Sequence, residues 1–247
     1  MDIIPYNRAD GRAADALRRV TLTRDVLKHA LGSCLVTFGD TKVLCAATIE
    51  EGVPGWRRQS RQGWVTAEYA MLPASTGRRS PRERGQRKGR SMEIERLIGR
   101  SLRTVVNMRA LGEYTVTVDC DVIQADGGTR TASVTGAWVA LHDALMTWVD
   151  AGKIPRLPLT GQVAAVSMGV VDGAELLDLD YREDSHAEVD MNLVATDTGE
   201  IIEIQGTGEQ TPFTRDRLNR LMDLGEAGIK RLIALQNEVT AFRDEEE

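Results

Sequence analysis

Residues 114–138 read YTVTVDCDVIQADGGTRTASVTGAW, an order that leaves few folds open. Tyr114, Val116, Val118, Cys120 and Val122 alternate with Thr115, Thr117, Asp119 and Asp121, the period of a strand with one buried face. Two adjacent glycines follow. Val134, Trp138, Leu141, Leu145 and Trp148 then recur at intervals of three or four, which predicts an amphipathic helix with its tryptophans in the core. In the turn between them, Gly127 and Gly128 permit positive φ and close approach of the backbone to a ligand. Thr129, Arg130, Thr131 and Ser133 add hydroxyls, a guanidinium and the first free amides of a helix. Two readings stay open at this point. The turn is either an anion cradle, in which helix dipole, amides and a bidentate arginine receive an oxyanion, or a tight turn capped by hydroxyls. The GxxxxGK[ST] and GxGxxG spacings are absent.

The surrounding elements point to an α+β class. Residues 33–49 form two β-rich runs joined at Gly39 and Asp40, a hairpin signal. Ile94, Ile98, Leu102, Val105 and Val106 predict a helix with Ser91 as its N-cap, and Arg96, Arg100 and Arg103 share another face of it. Strands are expected at QVAAVSMGVV, AELLDLDY, AEVDMNLVA and EIIEIQG, and a long last helix near Thr214. Strands and helices alternate without a regular βαβ rhythm, which favours mixed sheets covered by helices over a doubly wound parallel sheet. The expectation is a single domain over residues 1–247, with an acidic, frayed tail from about 243.

Charge is unevenly spread. The net charge is −6, yet Arg78, Arg79, Arg82, Arg84, Arg87, Lys88 and Arg90 face a single acid, Glu83, in one short stretch. Such a stretch either contacts a nucleic-acid backbone or is a solvated loop; with few aromatics nearby, backbone or RNA shape is favoured over base reading. The three cysteines, Cys34, Cys45 and Cys120, show neither a zinc spacing nor a disulfide framework, so buried thiols are expected. No apolar run is long enough for a membrane span and the N-terminus has no signal-peptide pattern, so the expected location is the cytoplasm.

A second constellation is LLDLDYREDSHAEVDMN, where Asp178, Asp180, Glu183, Asp184, Glu188 and Asp190 crowd together. Alternation from Ala187 puts Asp190 and Asn192 on one face of a strand, with Asp184 in a turn just before it. Converging carboxylates suit Mg²⁺, or one of them a general acid; a solvated acidic strand edge is the alternative. His186 reads as a surface residue.

Five stretches, GWVTAEYAMLP, GRSMEIERLIGRSLR, DCDVIQADGGTRTASVTGA, EDSHAEVDMN and EIQGTGE, occur in this order over nearly the whole chain. Together they resemble the ribonuclease PH family of phosphorolytic 3′-5′ exoribonucleases. The resemblance implies an α+β domain with a βαβ element, and a tRNA nucleotidyltransferase that trims tRNA precursors and other RNA 3′ ends with inorganic phosphate, releasing nucleoside diphosphates. It implies a phosphate site at Arg90, Gly128, Thr129 and Arg130; catalytic carboxylates at Asp184, Asp190 and Asp178, with Mg²⁺ on Asp184 and Asp190; RNA contacts at Arg78, Arg79, Arg82, Arg84 and Arg87; and a homohexamer built as a trimer of dimers. Where many members carry an arginine after AEYAMLP, this chain has Ala74. Alternatives of other classes are a ring subunit that binds RNA without cleaving it, and a hydrolytic nuclease using water and two metals.

Overall fold

The structure, a computed structural model, describes residues 6–82 and 89–242. Two sheets form its frame. The first contains β1 (Val20–Arg24), β2 (Gly32–Phe38), β3 (Thr41–Glu51), β4 (Trp64–Met71) and β5 (Tyr114–Gln124), in the order β1-β2-β3-β5-β4. The pairs are antiparallel except β4 and β5, which run parallel. The connection between these two passes through α1 (Gly89–Thr104) and the short α2 (Met108–Leu111), which makes the expected βαβ element. The second sheet, antiparallel throughout, contains β6 (Val163–Val171), β7 (Ala174–Leu177), β8 (Val189–Thr196) and β9 (Ile201–Gly208), in the order β7-β6-β8-β9. A one-turn helix, α4 (Tyr181–Asp184), joins β7 to β8, and α5 (Arg215–Thr240) ends the described fold.

The opening stretch occupies the centre. β5 buries Val116, Val118, Cys120 and Val122, as the alternation requires, and the chain turns through Gly127 and Gly128 into α3 (Thr129–Asp150). α3 packs on β2 and β3 on one side and on β6 on the other, so it lies between the two sheets. That position corrects the expected amphipathic helix. Thr129 and every residue from Thr131 to Leu145 are buried, His142 and Asp143 included, because a helix with a sheet on each side has no wet face. Trp138 is wholly buried and its Nε1 donates to the Gly161 carbonyl at 3.1 Å. β6 is buried along its whole length, between α3 and α5.

One hydrophobic core runs through both sheets. Cys34 pairs with Cys45, and Cys45 with Cys120, in adjacent strands, so the three buried, free thiols form a row across β2, β3 and β5. Two expectations for α1 shift: the helix includes Ser91 rather than being capped by it, and it ends before Val105 and Val106, the latter bridging to Leu159. Arg103 stacks on Trp64, its guanidinium carbon 4.4 Å from a ring centroid, so this member of the arginine face is engaged within the fold. Among the described residues no helix is long and apolar enough to cross a membrane.

Candidate functional site

The Gly-Gly turn is shaped by need rather than by convenience. Gly127 and Gly128 take φ of 73° and 66°. A Cβ on Gly127 would stand 2.6 Å from the Leu179 carbonyl oxygen and 2.9 Å from the Tyr181 amide nitrogen, so only glycine lets this turn press against the acidic segment. Gly128 is the N-cap of α3 and has no side chain to cap the first-turn amides, which leaves that end of the helix to a ligand. Thr129 does not point outward: its hydroxyl is 2.9 Å from the buried Tyr69 hydroxyl. Thr41 Oγ1 donates to the Gly127 carbonyl at 2.6 Å and accepts from the Asp126 amide at 3.0 Å, so a neighbouring strand holds the turn's outer limb.

Arg130 leaves the helix toward the second sheet. Its Nη1 donates to Gln205 Oε1 on β9 and to Glu93 Oε1 on α1, the latter at 3.1 Å. Gln205 in turn donates to Glu93 and Glu203, each at 3.0 Å. These partners orient the guanidinium, and Glu93 offsets its charge. Arg90 is exposed in the first turn of α1, and its charge acts on both Asp184 and Asp190. The charges of these two arginines, 40 residues apart in sequence, thus both act on the same pair of carboxylates.

The acidic segment divides by burial. Asp178 is fully buried at φ 54°, with its carboxylate taken by Arg18: Oδ1 accepts from Nη2 at 2.8 Å, Oδ2 from Nε at 3.1 Å and from the backbone amide at 2.7 Å. That placement corrects the expectation for Asp178. Its oxygens are enclosed within the fold and are not presented to a substrate. Asp180 and Glu183 form a capping box at α4, with Glu183 bound by Arg8 at 2.8 and 2.6 Å. Asp184 ends that helix. Asp190 stands on β8, a strand with partners on both sides, opposite Gly169 and Thr207, so the solvated-edge reading does not apply.

Burial raises Asp184 above the ordinary carboxylate range against the pull of Arg90 and Arg130. Asp190 is raised to about 6, by burial first and then by the charge of Asp184, with Arg130 opposing and exposed Glu209 adding to the rise. Two carboxylates that repel each other beside a helix N-terminus fit a divalent cation or a shared proton. Among the described residues no group of three His, Cys, Asp or Glu could hold a metal ion by itself. A two-carboxylate set suits Mg²⁺, which keeps waters and shares substrate phosphates, rather than a closed protein cage.

Of the basic stretch, Arg78, Arg79 and Arg82 are exposed; Arg84 and Arg87 lie outside the described residues. Burial raises the carboxyl of Asp121, on the outer face of β5, with the charge of Arg82 opposing the rise. Glu93, Gln205, Glu209 and the N-terminal arginines Arg8 and Arg18 were not legible as site residues. Glu93 and Gln205 sit inside SMEIE and EIQGTGE, but a single sequence carries no sign of which strand face meets Arg130.

Comparison with known proteins gives the family and the fold. Residues 16–146 match the model of the 3′ exoribonuclease family, domain 1, and residues 161–228 that of domain 2 of the same family. The chain is 57% identical over 238 residues to ribonuclease PH of Brucella ovis, covering 95% of this chain and 100% of that one. Its fold is shared by rice (Oryza sativa) Rrp46, at TM-score 0.77 and 22% identity over 94% of this chain and 100% of that one. A chain of the Archaeoglobus fulgidus exosome with RNA bound to the active site gives TM-score 0.76 and 23% identity over 92% of this chain and 91% of that one. The chain belongs to the 3′ exoribonuclease family of ribonuclease PH.

Proposed function

We propose that this chain trims the 3′ ends of tRNA precursors by phosphorolysis, acting in the cytoplasm. The observation that carries the reading is the meeting of an uncapped helix N-terminus and two arginines with a carboxyl raised to about 6. An anion site alone would suit many ligands. An anion site beside a protonatable carboxyl suits attack by one phosphate oxygen on another phosphorus, followed by protonation of the departing oxygen.

Inorganic phosphate would lie at the first-turn amides of α3, at Gly128, Thr129 and Arg130, with Arg90 on its other side. Its charge and that of the scissile diester repel, and the two guanidinia offset that repulsion while fixing the attacking oxygen. A bond forms from that oxygen to the terminal phosphorus as the bond to the preceding nucleotide's 3′ oxygen breaks. The products are a nucleoside 5′-diphosphate and an RNA shorter by one residue. Asp190, half-protonated near pH 6, is the group suited to supply the leaving oxygen's proton. Alternatively, Asp184 and Asp190, both ionised, would hold Mg²⁺, which when bound would supply charge neutralisation at the transferring phosphate and the leaving oxygen in place of Asp190's proton. Because a diester is exchanged for a diphosphate, the same site can run in reverse and extend RNA.

Exposed Arg78, Arg79 and Arg82 support RNA contact through the backbone, with Arg84 and Arg87 continuing the same basic stretch. The homohexamer, a trimer of dimers, is part of the same proposal, and sedimentation of the native protein tests it. The function itself is tested by incubating purified protein with 3′-extended tRNA and Mg²⁺, with and without phosphate. Release that requires phosphate is expected; equal release of monophosphates without phosphate would overturn the reading.

A further inference from the structure

Residues 6–19 form no strand or helix, yet Arg8 and Arg18 are only 4% and 5% exposed. Both arginines reach parts of the chain more than 100 residues away. The Arg18 guanidinium grips the Asp178 carboxylate with Nε and Nη2, at 3.1 and 2.8 Å. The same planar group also donates to two carbonyls of the Gly-Gly turn, Asp126 through Nη1 and Gly127 through the second hydrogen of Nη2 at 3.4 Å. One rigid fork thus touches the limb that leads into the phosphate turn and the residue from which the acidic segment departs. Asp178, in the left-handed region, is where the chain leaves β7 for α4.

Arg8 secures the next step. It donates to the carbonyls of Leu177 and Asp178 at 2.8 and 2.9 Å and to both oxygens of Glu183, whose carboxylate also closes the capping box of α4. Asp184 is the last residue of that helix, and its amide donates to the Asp180 carbonyl at 2.8 Å. Burying guanidinia against carboxylates is not an efficient way to add stability, since well-packed apolar residues do as well or better. What the arrangement adds is fixed spacing between two polar loops that meet in no regular ladder.

We propose that Arg18 is a positioning residue for the transfer reaction. Its guanidinium sets the distance between the phosphate turn and the acidic segment that carries Asp184, while Arg8 holds the helix that ends in Asp184. The proposal rests on the phosphorolytic reading above. It separates two roles that a merely structural ion pair would combine: holding the fold together and holding phosphate against the carboxylates.

The test uses the full chain with Arg18→Met, Arg18→Lys and the double variant Arg18→Met with Asp178→Asn, and Arg24→Met as control. Arg24 pairs with Asp143 on α3 (2.7 Å), away from the turn. Tm, binding of inorganic phosphate by calorimetry, and kcat and KM for phosphate and for RNA are measured on each. Arg18→Met should lower Tm and raise the phosphate KM at least tenfold, with the RNA KM little changed. The double variant has no unpaired buried charge at this pair and should recover most of the Tm but not the phosphate KM. Arg18→Lys, which keeps charge without the fork, should fall between, and the control should lose Tm at unchanged phosphate KM. Recovery of Tm and phosphate KM together in the double variant would overturn the proposal, as would a folded Arg18→Lys enzyme with wild-type constants. Should Arg18→Met fail to fold, the double and lysine variants decide. A wild-type enzyme that neither binds nor needs phosphate would instead overturn the phosphorolytic reading, and kcat of the double variant would then judge the bridge.

Discussion

Replacing Asp190 by Asn should stabilise the metal-free protein while disabling it. Asp190 is raised from an ordinary 3.8 to about 6 because its charge is partly buried and faces that of Asp184. For a carboxyl raised by folding, the contribution of the protonated form is fully present well below the unfolded pKa and is lost progressively as pH rises from about 4 to somewhat above 6. A rise of this size corresponds to roughly 3 kcal/mol of folding free energy lost by pH 8. Asparagine carries no charge and removes that loss; allowing for the solvent that still reaches the site and an imperfect amide fit, about 2 kcal/mol should be recovered. For a chain of this size that is a Tm increase of about 4–8 °C. The assay is thermal unfolding with chelator at pH 4, 6 and 8. The variant's advantage should be full at pH 8, still about four-fifths or more of that at pH 6, and about a fifth or less at pH 4, while turnover falls by roughly 10²–10⁴. A variant no more stable than wild type at pH 8, or with an advantage independent of pH, would refute the reasoning about this carboxyl.

Other perturbations separate the parts of the site. Arg130→Ala removes a guanidinium but no core packing, so phosphate KM should rise tenfold or more with Tm changed by only a few degrees; steady-state kinetics over phosphate check this. Gly127→Ala forces a side chain to φ 73° and a Cβ to 2.6 Å from the Leu179 carbonyl, which should cost about 1–3 kcal/mol and weaken phosphate use; chemical denaturation and kinetics together measure it. Reversing charge across Arg78, Arg79, Arg82, Arg84 and Arg87 should reduce both RNA affinity and its dependence on salt. Equal salt slopes for the two proteins would show that the stretch is only solvated.

Much of the frame could be read from the chain, because local patterning and tertiary packing agree there. β5, the Gly39 hairpin, three of the four strands of the second sheet and the start of α5 near Thr214 lie where expected, while the strand expected over AELLDLDY ends at Leu177, where Asp178 turns into the left-handed region ahead of α4. α3 was legible as a helix but not as a helix enclosed on both sides. Its small residues, Ala132, Ser133, Gly136, Ala137 and Ala140, blur the period because both sheets approach closely. At the site, the turn and the carboxylates were visible as motifs, since each is local. Asp178 was misjudged because burial, not residue type, separates it from Asp184, and its partner Arg18 lies 160 residues upstream in a segment without periodicity. Gln205 and Glu93, 75 and 37 residues from Arg130, were hidden likewise, since their relation to it exists only once β9 and α1 meet.

In the proposed reaction the turn at Gly128–Arg130 presents phosphate as the attacking group. Labelled inorganic phosphate, given to the enzyme with 3′-extended tRNA and Mg²⁺, tests this most directly when the released nucleotide is isolated and its label located. Nucleoside 5′-diphosphate with the label in the β-phosphate is expected, together with an Arg130→Ala enzyme that needs much more phosphate to form it. Unlabelled nucleoside monophosphate as the product would contradict the proposed reaction.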